Sequence, residues 1–232
     1  MNKHSCNCET CQHKICAKKV PIFSTLNAEE INRVVKLIIR KRYSRGEMII
    51  MEGAHLNSLI IINSGRVKAF RDTLEGKEQI LYIFSQGDFF GEKNLLIDQN
   101  APYNVEALEE TNVCTIKKDD FKKLLQEYPE IAFKIMEELC IRLERLEKAV
   151  ESMATKNVEA RVNEVLLEFA KKYGKVSHEG IIVDLPLSRE GIANYIGVAR
   201  ETVSRKMNLL QEEGIIEMIG NKRVIIRNID AL

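Results

Sequence analysis

Apolar positions along the chain change their period twice, and these changes separate three regions. Apolar residues at helical spacing, from Ile31 to Ile38, predict a short helix over residues 27–39. Between residues 46 and 115, short β-branched or aromatic runs alternate with glycines at nearly even intervals. Short strands with regular turn residues predict an antiparallel sandwich or barrel. The expected strands are 48–51, 58–63, 67–71, 79–84 and 105–116.

After residue 119 the apolar period becomes helical again. Six apolar residues follow a 3-4-3-4-3 spacing and are flanked by charged residues such as Arg142 and Glu144, which is typical of a coiled-coil seam. A long helix packed only on its own domain is the alternative. Because the stripe is narrow and sustained, we favour a dimerisation helix. The seam residues are Met136, Leu139, Leu143, Leu146, Val150 and Met153.

The last region has the pattern of a helix-turn-helix followed by a hairpin. Ser188 is a good N-cap for a helix over 189–196, Gly197 allows a tight turn, and a second helix is expected over 199–212. Two strand-like runs, 215–219 and 224–226, surround a Gly220-Asn221 turn. In this arrangement the second helix is available for the major groove of DNA.

The first turns of the second helix carry side chains suited to DNA. Four are suited to base edges, since arginine pairs with guanine, glutamate accepts from cytosine and serine is adaptable. They are Arg200, Glu201, Ser204 and Arg205. Thr202, Lys206 and Arg223 are expected at phosphates. The alternative is a solvated face with a Glu201–Arg205 ion pair, since these residues are four apart.

Composition narrows the classes of protein that fit. The chain has 232 residues, of which 45% are hydrophobic and 30% are charged, as in ordinary soluble proteins. No apolar run reaches the ~18 residues of a membrane-spanning helix, and the polar N-terminus does not resemble a secretory signal, so we expect a cytoplasmic protein. A net charge of +1 requires any DNA-binding surface to be a local patch. Neither a nucleophile–base pair nor a phosphate-binding glycine loop stands out, so we do not expect an enzyme.

Cysteines supply the candidate sensing chemistry. Four of the six cysteines, Cys6, Cys8, Cys11 and Cys16, precede residue 17, and Cys114 ends a strand-like run. In a reducing compartment such thiols favour a metal centre or a redox switch over structural disulfides. A thiol–disulfide regulator, a zinc-stabilised module and a sensor with a small molecule in the β domain stay open as alternatives.

Two motifs carry a family resemblance. Residues 87–92, GDFFGE, and residues 196–205, IGVARETVSR, resemble the roll motif and the recognition-helix signature of the CRP/FNR superfamily of bacterial transcription regulators. The resemblance covers essentially the whole chain and implies an α+β fold. Its expected parts are a cysteine-rich segment (1–20), an antiparallel β-roll of the cupin-like jelly-roll type (21–125), a dimerisation helix (126–157) and a winged helix-turn-helix DNA-binding domain (158–232).

Within the superfamily, the oxygen-responsive FNR branch is the most similar. Residues 107–114 resemble the segment around its internal cluster ligand, and residues 155–161 resemble the hinge after its dimer helix. This resemblance implies a [4Fe-4S] cluster held by Cys8, Cys11, Cys16 and Cys114, with Cys6 as an alternative ligand. The spacing departs from the branch, because C-x2-C-x4-C replaces its C-x2-C-x5-C.

Cyclic AMP is not expected as a ligand. Cyclic-nucleotide binders of the superfamily hold the phosphate with an Arg-Ser pair, and Pro102-Tyr103 stand at these positions.

The resemblance implies a redox- or oxygen-responsive regulator whose cluster controls dimerisation and promoter binding. The expected partners are double-stranded DNA with an inverted repeat, a second copy of the chain and RNA polymerase. Oxygen, nitric oxide, thiol redox state and a small molecule stay open as the signal.

Overall fold

The computed structural model describes residues 20–97, 99–155 and 157–232, with the backbone alone for 152–155. The chain forms two compact units. One unit comprises the described residues up to Ala69 together with Phe84–Leu143, and the other comprises Phe70–Ile83 and Glu144–Leu232. The predicted α+β fold is confirmed, since the order of elements is antiparallel sheets, a long helix and a helix-turn-helix with a terminal hairpin.

The elements before the long helix are mostly strands. A 3-10 turn, Pro21–Phe23, precedes them. The strands are β1 (Ile39–Tyr43), β2 (Met48–Ile50), β3 (Ser58–Ser64), β4 (Val67–Asp72), β5 (Glu78–Phe84), β6 (Phe89–Phe90), β7 (Asn104–Ala107) and β8 (Thr111–Lys117). The helices are α1 (Ala28–Leu37), α2 (Glu92–Ile97) and α3 (Lys118–Glu127).

The long helix and the elements after it are mostly helical. They are α4 (Pro129–Thr155), α5 (Val158–Tyr173), β9 (Gly174–Ser177), β10 (Gly180–Asp184), α6 (Arg189–Ile196), α7 (Arg200–Glu212), β11 (Ile216–Ile219) and β12 (Arg223–Ile226).

The described strands of the roll form two four-stranded sheets, ordered β1-β8-β3-β6 and β2-β7-β4-β5. β8 lies between two antiparallel neighbours, so Cys114 pairs with Arg40 of β1 on one side and with Ile61 of β3 on the other. The interior position of β8 holds the candidate internal ligand in a rigid part of the sheet.

Two of the strand predictions are wrong in detail. The run 105–116 is not one strand but β7 and β8, separated by a turn at residues 108–110 whose Leu108 N–H donates to the Arg66 carbonyl. β1 was not predicted, because its residues Arg40, Lys41 and Arg42 are charged and exposed. An edge strand pairs through its backbone and needs no apolar alternation, and charged side chains protect such an edge from further pairing.

One buried cluster joins the roll to the helices around it. The face of β3 and β8 that carries Leu59, Ile61, Cys114 and Ile116 packs within this cluster. The cluster also includes Val20, Ile22 and Phe23 at the beginning of the described chain, Ile31 and Val34 of α1, Phe121 and Leu124 of α3, and Ile131 and Ile135 of α4. The start of the long helix therefore shares its core with the strand of Cys114.

The C-terminal unit contains a four-stranded sheet ordered β11-β12-β10-β9. Residues 174–180 form β9 and the turn that leads into β10, although most of their side chains are polar. The ladder between β9 and β10 pairs Val176 with Ile181. The backbone N–H and C=O groups of this polar segment form hydrogen bonds with the neighbouring strand β10. The pattern of side chains within the segment does not reveal this pairing.

Among the described residues, no helix combines the length and the apolarity required to cross a lipid bilayer.

Candidate functional site

The helix-turn-helix is built by local signals in the sequence. The Ser188 hydroxyl accepts a hydrogen bond from the Gly191 N–H at 3.1 Å and so begins α6. Gly197 ends the helix with φ of 68°, a left-handed conformation that glycine adopts without a steric penalty. The predicted helix, turn and second helix are therefore confirmed. α7 packs on α6 through the buried residues Val203, Met207 and Leu210.

Helix α5 supports this pair of helices through polar contacts. The Arg161 guanidinium donates to the Ile196 carbonyl at 3.1 Å, which satisfies the carboxyl end of α6 next to the turn. The Tyr195 hydroxyl lies 3.3 Å from a Glu168 carboxylate oxygen, and its ring stacks on Phe169. Burial, and then the Glu168 charge, raise the pKa of the Tyr195 phenol well above its usual range, so it stays a neutral donor.

The residues predicted to touch DNA differ in their accessibility. Arg200, Glu201 and Arg205 are exposed, whereas Thr202 and Ser204 are half-buried. Lys206 differs most, because only 13% of its side chain is exposed and its Nζ lies 4.0 Å from Glu159 Oε2. Arg223 on the wing donates to Asp184 Oδ1 at 2.7 Å. The Asp184 carboxylate raises the pKa of the Arg223 guanidinium. The outer face of α7 thus presents two exposed arginines.

The comparisons with known proteins agree with this architecture. Residues 40–128 match the cyclic nucleotide-binding domain family, and residues 160–232 match the Crp-like helix-turn-helix domain family. The chain is 31% identical to the probable transcriptional regulator flp of Lacticaseibacillus casei, over 92% of this chain and 94% of that protein. The chain belongs to the CRP/FNR family.

Relatives of this CRP/FNR regulator carry different names. The chain is 27% identical to the cyclic AMP receptor protein of Thermus thermophilus, over 87% of this chain and 90% of that protein. It is 28% identical to the fumarate and nitrate reduction regulatory protein of Yersinia pestis, over 90% and 83%. FixK2 from Bradyrhizobium japonicum superimposes with a TM-score of 0.74, at 25% identity over 84% of this chain and 94% of that one.

Membership of the CRP/FNR family gives the general function of the chain. It is a DNA-binding transcription regulator and not an enzyme. Regulators of this family bind DNA through the helix-turn-helix and act as dimers. The relatives include both cyclic AMP and FNR types, so the family alone does not assign the signal.

In the roll of this CRP/FNR regulator, the GDFFGE motif forms a buried polar contact. Gly91 has φ of 92°, and a Cβ there would lie 2.6 Å from the Ser58 carbonyl oxygen, so the turn requires glycine. Glu92 follows at the start of α2 with only 1% of its side chain exposed, and its Oε1 lies 2.9 Å from Arg142 Nη1. The carboxylate of the motif is therefore engaged by the chain's own long helix.

The candidate cluster ligands are divided between described and undescribed parts of the chain. Cys6, Cys8, Cys11 and Cys16 lie outside the described residues. Cys114 is buried, 6% exposed, on the face of β8 that belongs to the large apolar cluster. Within the described ranges, no group of three or more His, Cys, Asp or Glu side chains is arranged to hold a metal ion.

The predicted dimer seam is largely exposed in the single chain. Met136, Leu143, Leu146 and Val150 are exposed, whereas Leu139 packs partly against the apolar cluster of its own unit. The side chain of Met153 lies outside the described residues. Two exposed residues that the spacing did not single out belong to the same region of the helix. Phe133 precedes the first seam residue, and Cys140 lies between Met136 and Leu143.

Three further residues were missed as functional positions. Arg142 had been counted among the solvated flanks of the coiled coil. Glu159 and Arg161 lie within the segment that resembles the FNR hinge, but that resemblance gave them no role. Only an N-cap at Asn157, whose side chain accepts from the Ala160 N–H, could have indicated that both side chains stand on the first turn of a helix.

Proposed function

We propose that this CRP/FNR regulator senses oxygen or redox state through a [4Fe-4S] cluster. The proposed ligands are Cys114 and three cysteines of the N-terminal group, taken as Cys8, Cys11 and Cys16 with Cys6 as the alternative. When bound, such a cluster supplies a link between these two parts of the chain that oxygen can destroy. Four cysteine thiolates are the usual ligand set for this group.

The supporting observation is that Cys114 and the beginning of the described chain belong to one buried core. Cys114 shares one buried cluster with Val20, and Cys16 precedes Val20 by only four residues. An extended chain spans at most about 3.6 Å per residue, so Cys16 lies within about 14 Å of Val20 along the chain. Cys8 and Cys11 precede it on the same segment. This tether allows the N-terminal thiolates to reach the strand of Cys114.

The same cluster offers a route from the cysteines to the dimer helix. Ile131 and Ile135 of α4 pack in the core that contains Cys114 and Phe23. Holding the N-terminal segment against this core restricts how the start of α4 packs. If the held segment favours one packing of α4 by about 1–3 kcal/mol, the binding affinity at a coupled site changes several-fold or more. The coupled site here is the seam on the same helix.

Cyclic AMP does not fit this chain as the signal. The Glu92 carboxylate is already paired with Arg142. Tyr103 is buried, and it stands at a position where an Arg-Ser pair would hold the phosphate. No cation replaces that pair at positions 102 and 103. We therefore expect added cyclic AMP to leave the DNA affinity unchanged.

In this proposal the four sequence-defined parts have separate roles. Residues 1–20 and 21–125 sense, residues 126–157 dimerise, and residues 158–232 bind an inverted-repeat promoter site. The two recognition helices of a dimer lie about one helical turn of DNA apart, which matches the two half-sites. RNA polymerase is the partner through which a bound dimer acts on transcription.

Anaerobic purification tests the proposal. We expect about four iron and four sulfide per chain, with a visible absorption band that air removes together with most of the affinity for DNA. Cys114→Ser should lose the iron. Cys140→Ser is the matched control, because Cys140 is exposed on α4 and is not a proposed ligand, so this variant should retain the iron.

The alternatives give different results in the same experiment. Zinc that survives air, with unchanged DNA affinity, would indicate a structural metal site. A disulfide to Cys114 found by mass mapping after air, without iron before it, would indicate a thiol switch. Iron retained by Cys114→Ser, or anaerobic protein that binds its promoter without iron, would reject the proposal.

A further inference from the structure

Glu159 lies in the first turn of α5, near two basic side chains of α7. Its Oε1 lies 3.7 Å from Arg205 Nη2, and its Oε2 lies 4.0 Å from Lys206 Nζ. Both oxygens of one carboxylate therefore face cations that belong to the candidate DNA-reading helix. No other carboxylate pairs with Arg205 or Lys206 among the described ion pairs.

The two cations are held in different environments. Arg205 is 73% exposed, so its charge is available to solvent and to a ligand of α7. Lys206 is only 13% exposed, and Glu159 Oε2 places an opposite charge 4.0 Å from its ammonium nitrogen. Loss of that carboxylate would remove this attraction and leave the ammonium group free to turn toward solvent on its flexible stem.

We propose that Glu159 competes with DNA phosphate for Arg205 and Lys206 and so lowers the affinity of the chain for DNA. A carboxylate and a phosphate accept from the same donors and carry the same sign of charge. A cation that is held by Glu159 contributes less to phosphate contacts, whatever the DNA sequence. Glu159 thus lowers the affinity for promoter and non-specific DNA by a similar factor. The inference rests on the proposed DNA-facing role of Arg205.

The expected size of the effect follows from the salt dependence of DNA binding. Each additional phosphate contact makes the slope of log K against log salt steeper by about 0.9. At roughly 0.1 M salt, one such contact corresponds to about 3- to 10-fold in affinity. Glu159→Gln frees up to two cations, Arg205 and Lys206, so the slope should become steeper by about one to two.

The test measures binding to two duplexes by fluorescence anisotropy, with protein purified without air. One duplex is a site selected from random sequences by the wild-type protein, and the other has the same composition in scrambled order. Glu159→Gln should bind both duplexes about 3- to 10-fold more tightly for each cation that is freed, with a steeper salt slope and a similar ratio of the two affinities. A role in helix stability alone would not change the slope.

Two further variants separate the possible outcomes. Glu212→Gln makes the same change in net charge at the far end of α7, so equal tightening in this variant would overturn the inference. Arg205→Ala should weaken binding to the selected site. If it does and Glu159→Gln has no effect, the competition proposal is wrong. If neither substitution changes binding, the DNA-facing role of this part of α7 fails, and the inference fails with it.

Discussion

Arg142 makes several contacts within the roll unit. Its guanidinium donates to Glu92 and to the Phe89 carbonyl, at 2.9 and 2.5 Å. It also lies 4.6 Å from the ring centre of Phe89 and 5.3 Å from that of Phe84. Glu92 Oε2 is buried and has no hydrogen-bond partner among the described atoms. Arg142 is therefore the main compensation for a buried carboxylate.

Removing Arg142 should strongly destabilise the protein. Arg142→Met leaves Glu92 buried and uncompensated, and breaking one side of a buried pair costs about 3–5 kcal/mol. The free energy of unfolding in urea, measured under the same redox conditions as the wild type, checks this value.

The double variant separates a lost charge from lost packing. Glu92→Gln/Arg142→Met has no buried charge and should recover most of the loss. A single variant that loses less than about 1 kcal/mol would show that Glu92 is not held as a buried anion.

At the scale of one element, the exposed residues of α4 differ in part from the seam that the spacing predicts. Met136, Leu143 and Val150 are seven residues apart and exposed, as a heptad stripe requires. Between them, Leu139 packs partly on its own core, whereas Cys140 is exposed. Near the start of α4, the surface open to a partner is therefore rotated toward Phe133 and Cys140.

Chemical cross-linking tests the rotated stripe. In the anaerobic dimer, a short bis-maleimide should join Cys140 to Cys140 of the second copy, since two-fold symmetry brings equivalent seam residues together. Peptide mass mapping identifies the product. In Cys140→Ser/Leu139→Cys, the cross-link should be much less efficient. If the variant with cysteine at position 139 cross-linked more efficiently than the protein with Cys140, the seam would be the one that the spacing predicted.

At the scale of the whole molecule, function depends on local charge and on assembly. The net charge of +1 provides little long-range attraction to DNA, so affinity must come from a small basic surface used twice. Two half-sites bound by one dimer gain affinity through effective concentration, without any new contact. We therefore propose that the exposed stripe on α4 contributes to promoter binding by holding the two recognition helices together.

A charge in the middle of this stripe should separate the two functions. Leu143→Glu, at a position that is 56% exposed in the single chain, should yield a monomer by analytical ultracentrifugation. Affinity for the selected inverted repeat should fall about 100-fold or more, while the fold by circular dichroism is retained. Ile141→Glu is the matched control, because Ile141 is 43% exposed and lies away from the stripe on the same helix. Equal loss of dimer in both variants would argue against this seam.

Local signals made most of the architecture predictable. Ser188, Gly197 and the Gly220 turn define the helix-turn-helix and its wing, because caps and positive φ are properties of a few neighbouring residues. The sequence was less informative for strands paired through their backbones. β1 and β9 carry mostly polar or charged residues, and their hydrogen bonds come from another strand, the distant β8 for β1 and the adjacent β10 for β9, which their own side chains do not reveal.

The sequence by itself determined the order of the elements, the family motifs and the chemistry of the cysteines, all of which depend on residue type and short spacing. Only the tertiary structure decided that Arg142 is buried against Glu92, fifty residues away, and that Glu159 faces Arg205 and Lys206. Both are contacts between charged residues that any surface helix could carry. Which of them are buried or paired depends on how separate elements pack, because desolvation and charge compensation are properties of the folded surroundings.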